Sequence, residues 1–190
     1  EAYLKEEAAK GVAVNLTALM ANPDFSNGSS GRAATPAFTA ANGYVAEFWN
    51  TNFDFYQTVK GLPKGDYEIA VNSFYRQGGI SQAVAAHYDE SESLNALLYA
   101  NDESVPVMSI YDNSITQYSI SPYTFPDNVS TANQAFNDYG LYTNTLRVKL
   151  AEKGDIKLGI RKTEYVSNDW CCFDNFTLNY LGDATGISVL

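Results

Sequence analysis

One acidic side chain stands among apolar ones in a strand-like stretch near the end of the chain. Alternate residues of a strand face opposite sides, and the more apolar side of segment 170–181 consists of Trp170, Cys172, Asp174, Phe176, Leu178 and Tyr180. We expect this side to face the core. A buried carboxylate without a partner is costly, so Asp174 should be paired, multiply hydrogen-bonded or bound to a metal ion. A β-bulge that turns Asp174 outward is the alternative.

Aromatic side chains at strand ends suit a sugar ligand. An aromatic ring packs against the C–H face of a sugar, and polar side chains bind its hydroxyl groups. Loop tips can vary without harming the core, which makes them the expected place for a binding site. We therefore predict a weak glycan site in which Trp170 remains partly exposed. Its predicted residues are Trp170, Tyr75 and Arg76, with Asn168 or Asn144 supplying hydrogen bonds.

Packing is the open alternative for each of these residues. For Trp170 the core and the ligand site are equally reasonable positions. The other tryptophan, Trp49, follows a run of apolar residues, and we expect it in the core.

Catalysis finds little support in the sequence. His87 is the only histidine, and it lies among alanines in a setting typical of a structural or surface residue. The sequence contains no G-x-S-x-G, H-E-x-x-H, C-x-x-C, P-loop or G-x-G-x-x-G motif. The 22 acidic residues offer many carboxylate pairs that a glycosidase could use. The densest acidic run, 89–92, is more typical of a solvated turn. We predict that the domain is not an enzyme.

The charge of the chain narrows the class of binding partner, and its cysteine content bears on disulfide bonding. The net charge is −10, and the 12 Lys and Arg residues are scattered, which disfavours nucleic acid and anionic membrane. No apolar run approaches the roughly 20 residues of a membrane-spanning helix, so we expect no membrane insertion. The only cysteines, Cys171 and Cys172, are adjacent and point to opposite sides of a strand, so they predict no disulfide framework.

The elements that position these residues are mostly strands. Segments 146–150 and 156–160 alternate between apolar and charged residues, which is typical of half-buried antiparallel strands. Further strands are predicted at 12–20, 44–49, 53–59, 67–76, 94–100 and 105–110, with a hairpin turn at 50–52. Short helices are predicted at 1–10, within 81–93 and near 131–136. The pattern predicts an all-β protein: an antiparallel β-sandwich of the jelly-roll type.

Three segments carry a resemblance to a known superfamily. They read TALMANPDF at 17–25, YQTVKGLPKGDY at 56–67 and FDNFTL at 173–178. In this order and spacing, the chain resembles the galactose-binding-like β-sandwich superfamily, which includes many carbohydrate-binding modules and the discoidin domains. Within it, the chain is most similar to ancillary domains of secreted polysaccharide-utilisation proteins. The resemblance covers residues 14–181, so we assign 1–13 to an N-terminal lead-in and 182–190 to a C-terminal linker.

The resemblance implies a structural calcium ion that joins the start of the domain to its closing strand. The matching metal position is Asp174, with Asp24 or the backbone near Asn22 as its partner. Ser26 and Arg32 stand where related modules often have Glu and Trp. Asn22 and backbone carbonyls are then the further oxygen ligands.

The resulting functional hypothesis is a non-catalytic carbohydrate-binding module of a larger secreted or surface protein. Its expected partners are a mono- or oligosaccharide and the flanking domains of the parent chain, in an extracellular, cell-surface or periplasmic location. The alternative is a structural or protein-contact β-sandwich module without a sugar ligand. An exposed aromatic ring beside Asn and Asp would favour the first hypothesis, and a polar loop face with every Trp buried would favour the second.

Overall fold

The structure is a computed structural model and describes residues 1–28, 30–36, 45–115, 118 and 122–183. Most of the regular secondary structure in these residues is β-strand, as the Val-, Tyr- and Phe-rich segments predict. The strands are β1 (Val14–Asn15), β2 (Ala33–Thr35), β3 (Ala46–Trp49), β4 (Phe53–Leu62), β5 (Gly65–Arg76), β6 (Ala96–Ala100), β7 (Glu103–Pro106), β8 (Thr143–Leu150), β9 (Gly154–Lys162) and β10 (Trp170–Gly182). The α-helices are α1 (Ala2–Ala9), α2 (Ile80–Tyr88) and α3 (Val129–Asn133).

The strands form two antiparallel sheets. The first sheet has the order β1-β10-β5-β8, with β3 also paired to β10, and the second has the order β2-β4-β9-β6-β7. The predicted all-β antiparallel sandwich is therefore confirmed. In the described part of the chain, no helix is long and apolar enough to cross a membrane.

The main core lies between the two sheets. Exposed and buried residues alternate strictly along β8, as the predicted half-buried strand requires. Aromatic rings fill the centre: Phe48 stacks on Phe53 at 4.1 Å between centroids, and Phe55 lies 4.7 Å from Phe173. Arg32 completes this group, with its guanidinium 4.8 Å from the centroid of the Phe176 ring. Burial lowers the pKa of Arg32 to about 9.

A second core covers the outer face of the first sheet. The described residues of segment 107–142 pack there onto the end of β5 and the start of β10. Its buried residues are Val45, Phe74, Ile110, Tyr118, Ala132, Ala135, Phe136, Tyr142, Trp170 and Cys172. Both sides of β10 are therefore buried along its first half, although the sequence alternation suggested only one buried side.

A β-bulge in β10 changes which residues face the main core. The pairing of β10 with β5 shifts register between Asp174 and Thr177, and Asn175 adopts the left-handed conformation with φ 55°. Because the bulge adds a residue, both Phe173 and Phe176 reach the main core. The predicted inward row was therefore wrong for its first three residues. Asp174 lies on the outer face, as the bulge alternative held, and is nevertheless only 1% exposed.

Several predicted elements differ from those observed. The turn at 50–52 is not a hairpin, because β3 pairs with β10 in one sheet and β4 pairs with β2 and β9 in the other. The strand predicted at 12–20 is reduced to β1 and a 3₁₀ turn at Thr17–Leu19. The predicted strand at 105–110 ends at Pro106.

The helical predictions agree better with the structure. The predicted N-terminal helix is present as α1, and its Leu4 and Ala8 pack against the main core. The helix predicted within 81–93 is α2, and the one near 131–136 is α3, followed by a π-helical turn at Gln134–Asp138. Tyr44, placed at a predicted strand start, and most of the predicted C-terminal linker, 184–190, lie outside the described residues.

Candidate functional site

The predicted contact aromatic, Trp170, is buried. Its side chain is 4% exposed, and its ring lies edge-to-face against Phe74 with centroids 5.0 Å apart. The guanidinium of Arg76 covers the ring at 5.4 Å, and the indole N–H donates a hydrogen bond of 2.9 Å to Glu47. The prediction that Trp170 remains partly exposed is wrong, because the second core covers the face of the sheet from which it projects.

The polar atoms of three other predicted ligand residues form hydrogen bonds within the fold. The hydroxyl of Tyr75 donates to Asp169, and Arg76 donates to the carbonyl oxygens of Gly78 and Asn168. The side chain of Asn144 accepts a hydrogen bond from the Met108 amide and donates to two carbonyl oxygens. All three residues are buried. They hold the loops in place, and of the five predicted ligand residues only Asn168 is exposed.

The second tryptophan occupies the position expected of a contact residue. Trp49 is 57% exposed, contrary to its predicted place in the core. It ends β3, which within the described part of the chain is an edge strand paired with β10 alone, and its Cα lies opposite that of Trp170. A side chain at the end of an edge strand has a neighbouring strand on one side only, so the sheet leaves its ring open to solvent.

Two loops meet beside Trp49. Asn50 and Asn168 both adopt the left-handed conformation, with φ 55° and 61°, which Asn tolerates better than most residues. The side-chain oxygen of Asn50 accepts hydrogen bonds from the Asn168 amide at 2.7 Å and from the Tyr165 hydroxyl at 3.1 Å. The Asn50 amide donates to the carbonyl oxygen of Asp169 at 2.8 Å. These contacts fix the loop 163–169 against the end of β3.

We call this surface the Trp49 tip and define it as Trp49, Asn50, Tyr165, Ser167 and Asn168. It presents two exposed aromatic side chains, Trp49 and Tyr165, together with exposed amide and hydroxyl groups. Its composition matches the requirements of a sugar site: apolar ring faces next to directed hydrogen-bonding groups. The sequence analysis chose the same end of the sandwich and Asn168, but it expected Trp170 and not Trp49 to be the exposed ring. The signal for Trp49 was its place directly before the polar turn Asn50-Thr51-Asn52.

A recess away from the residues of the Trp49 tip lies between α2 and residues 111–114 and 124–125. It has a volume of about 260 Å³ and is lined by Val84, His87, Tyr88, Tyr111, Asn113, Ser114, Thr124 and Phe125. Nδ1 of His87 lies 2.8 Å from the carboxylate of Glu92, which also accepts a hydrogen bond from the Ser109 hydroxyl. The only histidine of the chain is thus oriented by a carboxylate at the rim of an aromatic recess, a setting that its alanine-rich surroundings did not indicate.

Asp174 opens into a polar pocket on the outer face of the first sheet. The pocket has a volume of about 320 Å³ and is lined by Asp24, Ser26, Asn133, Asn137, Asp174 and Asn175. The carboxylate of Asp174 accepts hydrogen bonds from the Asn175 amide at 2.8 Å and from the Asn137 side chain at 3.0 Å. Burial raises the pKa of Asp174 to about 7, despite these hydrogen bonds, and the nearby charge of Asp24 adds to the shift.

The oxygen atoms of this pocket suit calcium in kind, because calcium prefers carboxylate, carbonyl and hydroxyl oxygens. Two of the three predicted metal residues, Asp24 and Asp174, line it. The third, Asn22, does not: its side chain donates to the carbonyl of Gly28 and accepts from the Asn27 amide, inside its own turn. Within the residues that the structure describes, no group of three or more His, Cys, Asp or Glu side chains could hold a metal ion.

The chain shows a likeness to a solved structure but none to a protein-family model or a curated protein. The sequence matches no protein-family model, and it matches none of the curated proteins with significance. Among solved structures, the chain is similar to TmCBM61, a carbohydrate-binding module determined in complex with β-1,4-galactotriose. The TM-score is 0.41 and the sequence identity 17%, over 83% of this chain and 94% of that one.

Proposed function

We propose that this chain is a non-catalytic carbohydrate-binding module that holds a glycan at the Trp49 tip. The observation that carries the proposal is the 57% exposed Trp49 at the end of an edge strand, where hydrogen bonds to the adjacent Asn50 hold the exposed Tyr165 and Asn168. Packing leaves more than half of this residue uncovered. Its ring offers the flat apolar surface that the C–H face of a sugar needs.

The loops around Trp49 support binding without large rearrangement. Asn50 ties the end of β3 to the loop 163–169 through three hydrogen bonds, so the amide and hydroxyl groups next to the ring are held before a ligand arrives. Pre-organisation reduces the entropy cost of binding. Stacking one ring on a sugar is worth only roughly 1 kcal/mol, so the site is weak, and we expect an affinity in the millimolar to high micromolar range.

The test is a binding screen with the whole domain. A glycan array identifies candidate sugars, and a panel of soluble oligosaccharides of galactose, glucose, mannose and xylose is then titrated while tryptophan fluorescence is recorded. Binding at the Trp49 tip should change the emission of the exposed indole. If no sugar on the array or in the panel binds, the function is that of a protein-contact module, and the exposed ring would then be a contact for a flanking domain or partner.

For the polar pocket we propose that Asp24 and Asp174 hold a structural calcium ion. The support is the buried carboxylate of Asp174, whose raised pKa indicates that its charge is poorly compensated by the surrounding groups. A divalent cation would compensate it and would join the turn 22–25 to β10. At pH 8, calcium should then raise the melting temperature of the wild-type protein and leave that of Asp174→Asn unchanged. Equal melting temperatures in calcium and in EDTA for the wild-type protein would contradict the proposal.

A further inference from the structure

A lysine and an aspartate lie in direct contact inside the sandwich, where neither can reach water. Lys162 is the last residue of β9, and Asp169 directly precedes β10. The ammonium nitrogen of Lys162 contacts Oδ2 of Asp169, and the two side chains are 1% and 2% exposed. Both are far less exposed than surface ion pairs such as Lys157 with Asp54. Removing two charges from water is costly, and their mutual attraction repays that cost only in part.

Buried side chains surround the pair, and the polar groups among them include the Tyr75 hydroxyl, the Cys171 thiol and the Arg76 guanidinium. Lys162 stands opposite Phe53 on one neighbouring strand and opposite Ala96 on the other, and both of these residues are buried. The hydroxyl of the fully buried Tyr75 donates a hydrogen bond of 2.9 Å to the same Oδ2 atom that Lys162 contacts. An amine, a carboxyl group and a hydroxyl donor are therefore confined together in a water-excluded site.

We propose that Lys162 and Asp169 condense to form an intramolecular amide bond between their side chains. A proton moves from the Lys162 ammonium to Oδ2, which leaves a neutral amine beside a neutral carboxylic acid. The lone pair of Nζ attacks Cγ, and the Nζ–Cγ bond forms. The Cγ–Oδ2 bond then breaks, and Oδ2 leaves as water with a second proton from the amine. The ammonium and carboxylate become one amide and one water molecule, and no other reactant is needed.

The structure provides the conditions that such a condensation requires. Holding amine and carboxyl in contact replaces a bimolecular encounter by an intramolecular one, which is worth several orders of magnitude in rate. The Tyr75 hydroxyl donates a hydrogen bond to the oxygen that leaves and assists its departure as water. Exclusion of water from the site protects the amide from hydrolysis.

The bond would connect the two sheets at the end of the sandwich that carries the Trp49 tip. β9 belongs to one sheet and β10 to the other, and the bond would close the loop 163–169, which supplies Tyr165 and Asn168 to the tip. It would hold this loop in place during mechanical or thermal stress. The inference does not depend on the ligand, so it stands even if the tip binds no sugar.

Mass spectrometry of the denatured wild-type protein tests the proposal directly. The intact protein should be lighter than its sequence by one water molecule. Trypsin does not cleave after a lysine whose amine is acylated, so the digest should contain a peptide that begins at Lys162 and lacks one water. Fragmentation should show few breaks between residues 162 and 169, because the amide closes that part of the peptide into a ring.

Two variants distinguish this bond from other losses of water. Lys162→Arg keeps a cation but lacks a nucleophilic amine, and it should have its full sequence mass. A loss of water elsewhere in the chain would persist in Lys162→Arg and would map to a different peptide. Asp169→Asn should lose ammonia instead of water and reach the same final mass as the wild-type protein.

The measurement also has a result that would overturn the proposed amide bond. A wild-type protein of full mass after prolonged storage in the folded state, with normal cleavage after Lys162, would overturn the proposal and establish a buried ion pair. This measurement needs no variant to fold.

Discussion

The two tryptophans lie opposite each other on neighbouring strands and have opposite environments. Trp49 and Trp170 are Cα partners in the pairing of β3 with β10, yet their exposed fractions are 57% and 4%. Trp170 is on a strand with neighbours on both sides, and Phe74 and Arg76 from β5 lie against its ring. Trp49 is at the end of the edge strand. Trp170 is part of a packed core, whereas most of Trp49 is exposed to solvent.

The difference shows what decides exposure in this sandwich. Both tryptophans lie beside polar loops, so the presence of a polar loop does not explain why one ring is exposed and the other is buried. The segment 107–142 covers the outer face of the first sheet over β5 and the start of β10, and it buries the side chains that project there. A residue at the edge of the same sheet stays outside this cover.

Replacing the buried ring should have the largest effect on stability. Trp170→Ala should lower the free energy of unfolding by roughly 3–5 kcal/mol, since it removes a large side chain from a packed core. Urea denaturation followed by circular dichroism measures the change. A loss below about 1 kcal/mol would mean that the ring is not packed as described, and the distinction between the two tryptophans would fail.

Substitution of Asp174 tests whether water is excluded from its carboxylate on the outer face of the first sheet. Its folded pKa of about 7 exceeds the ordinary value of 3.8, so the folded state binds the proton more tightly than the unfolded state. In the presence of EDTA, stability should fall as the pH rises from about 4 to about 7 and then level off, by up to a few kcal/mol at about 1.4 kcal/mol per pKa unit. Asp174→Asn should lack this contribution. Parallel pH profiles of the two proteins would show that Asp174 is not desolvated.

Glu47 tests the contact that fixes the orientation of Trp170. Its carboxylate accepts the indole N–H, and removing it leaves a buried donor without its partner. Glu47→Ala should cost roughly 1–2 kcal/mol, less than Trp170→Ala. In the background of Trp170→Phe, which has no N–H, the same change should cost less, and a double-mutant cycle measures the difference. Equal costs in both backgrounds would show that Glu47 acts in another way.

The smallest effect on stability is expected at the exposed ring. Trp49→Ala should change the free energy of unfolding by no more than about 0.5 kcal/mol, the usual range for surface substitutions. Urea denaturation beside Trp170→Ala makes the comparison quantitative. If Trp49→Ala destabilises the domain as much as Trp170→Ala does, then Trp49 serves packing, and the basis for a ligand site at this tip is lost.

The sequence predicted the fold because most strands carry their information locally. In β8 and β9, apolar and charged residues alternate, since each strand has one face on the main core and one towards solvent. Helix α2 lacked strand alternation, and it was predicted for that reason. The connection at 50–52 was misread as a hairpin, since a short polar turn between two apolar strands looks the same whether the chain returns in one sheet or crosses to the other.

The candidate site was harder to predict because two distant features decide it. The register of β10 depends on the bulge at Asp174 and Asn175, which the sequence allowed but did not favour over continuous pairing. The burial of Trp170 depends on segment 107–142, whose irregular sequence did not reveal which face it covers. The sequence analysis predicted a ligand site at the same end of the sandwich as the Trp49 tip, but only the packing of both elements distinguishes the exposed Trp49 from the buried Trp170.

The most direct test of the proposed function is calorimetric titration of the best oligosaccharide from the screen into three proteins: wild type, Trp49→Ala and Tyr88→Ala. Tyr88 is the matched control, because it is an exposed aromatic residue on α2, away from the Trp49 tip. We expect Trp49→Ala to weaken binding about fivefold, equivalent to the roughly 1 kcal/mol of one stacked ring, and Tyr88→Ala to bind as the wild type does. Unchanged affinity in Trp49→Ala would contradict the proposed function at this site, and a loss in Tyr88→Ala instead would move the ligand to the recess beside His87.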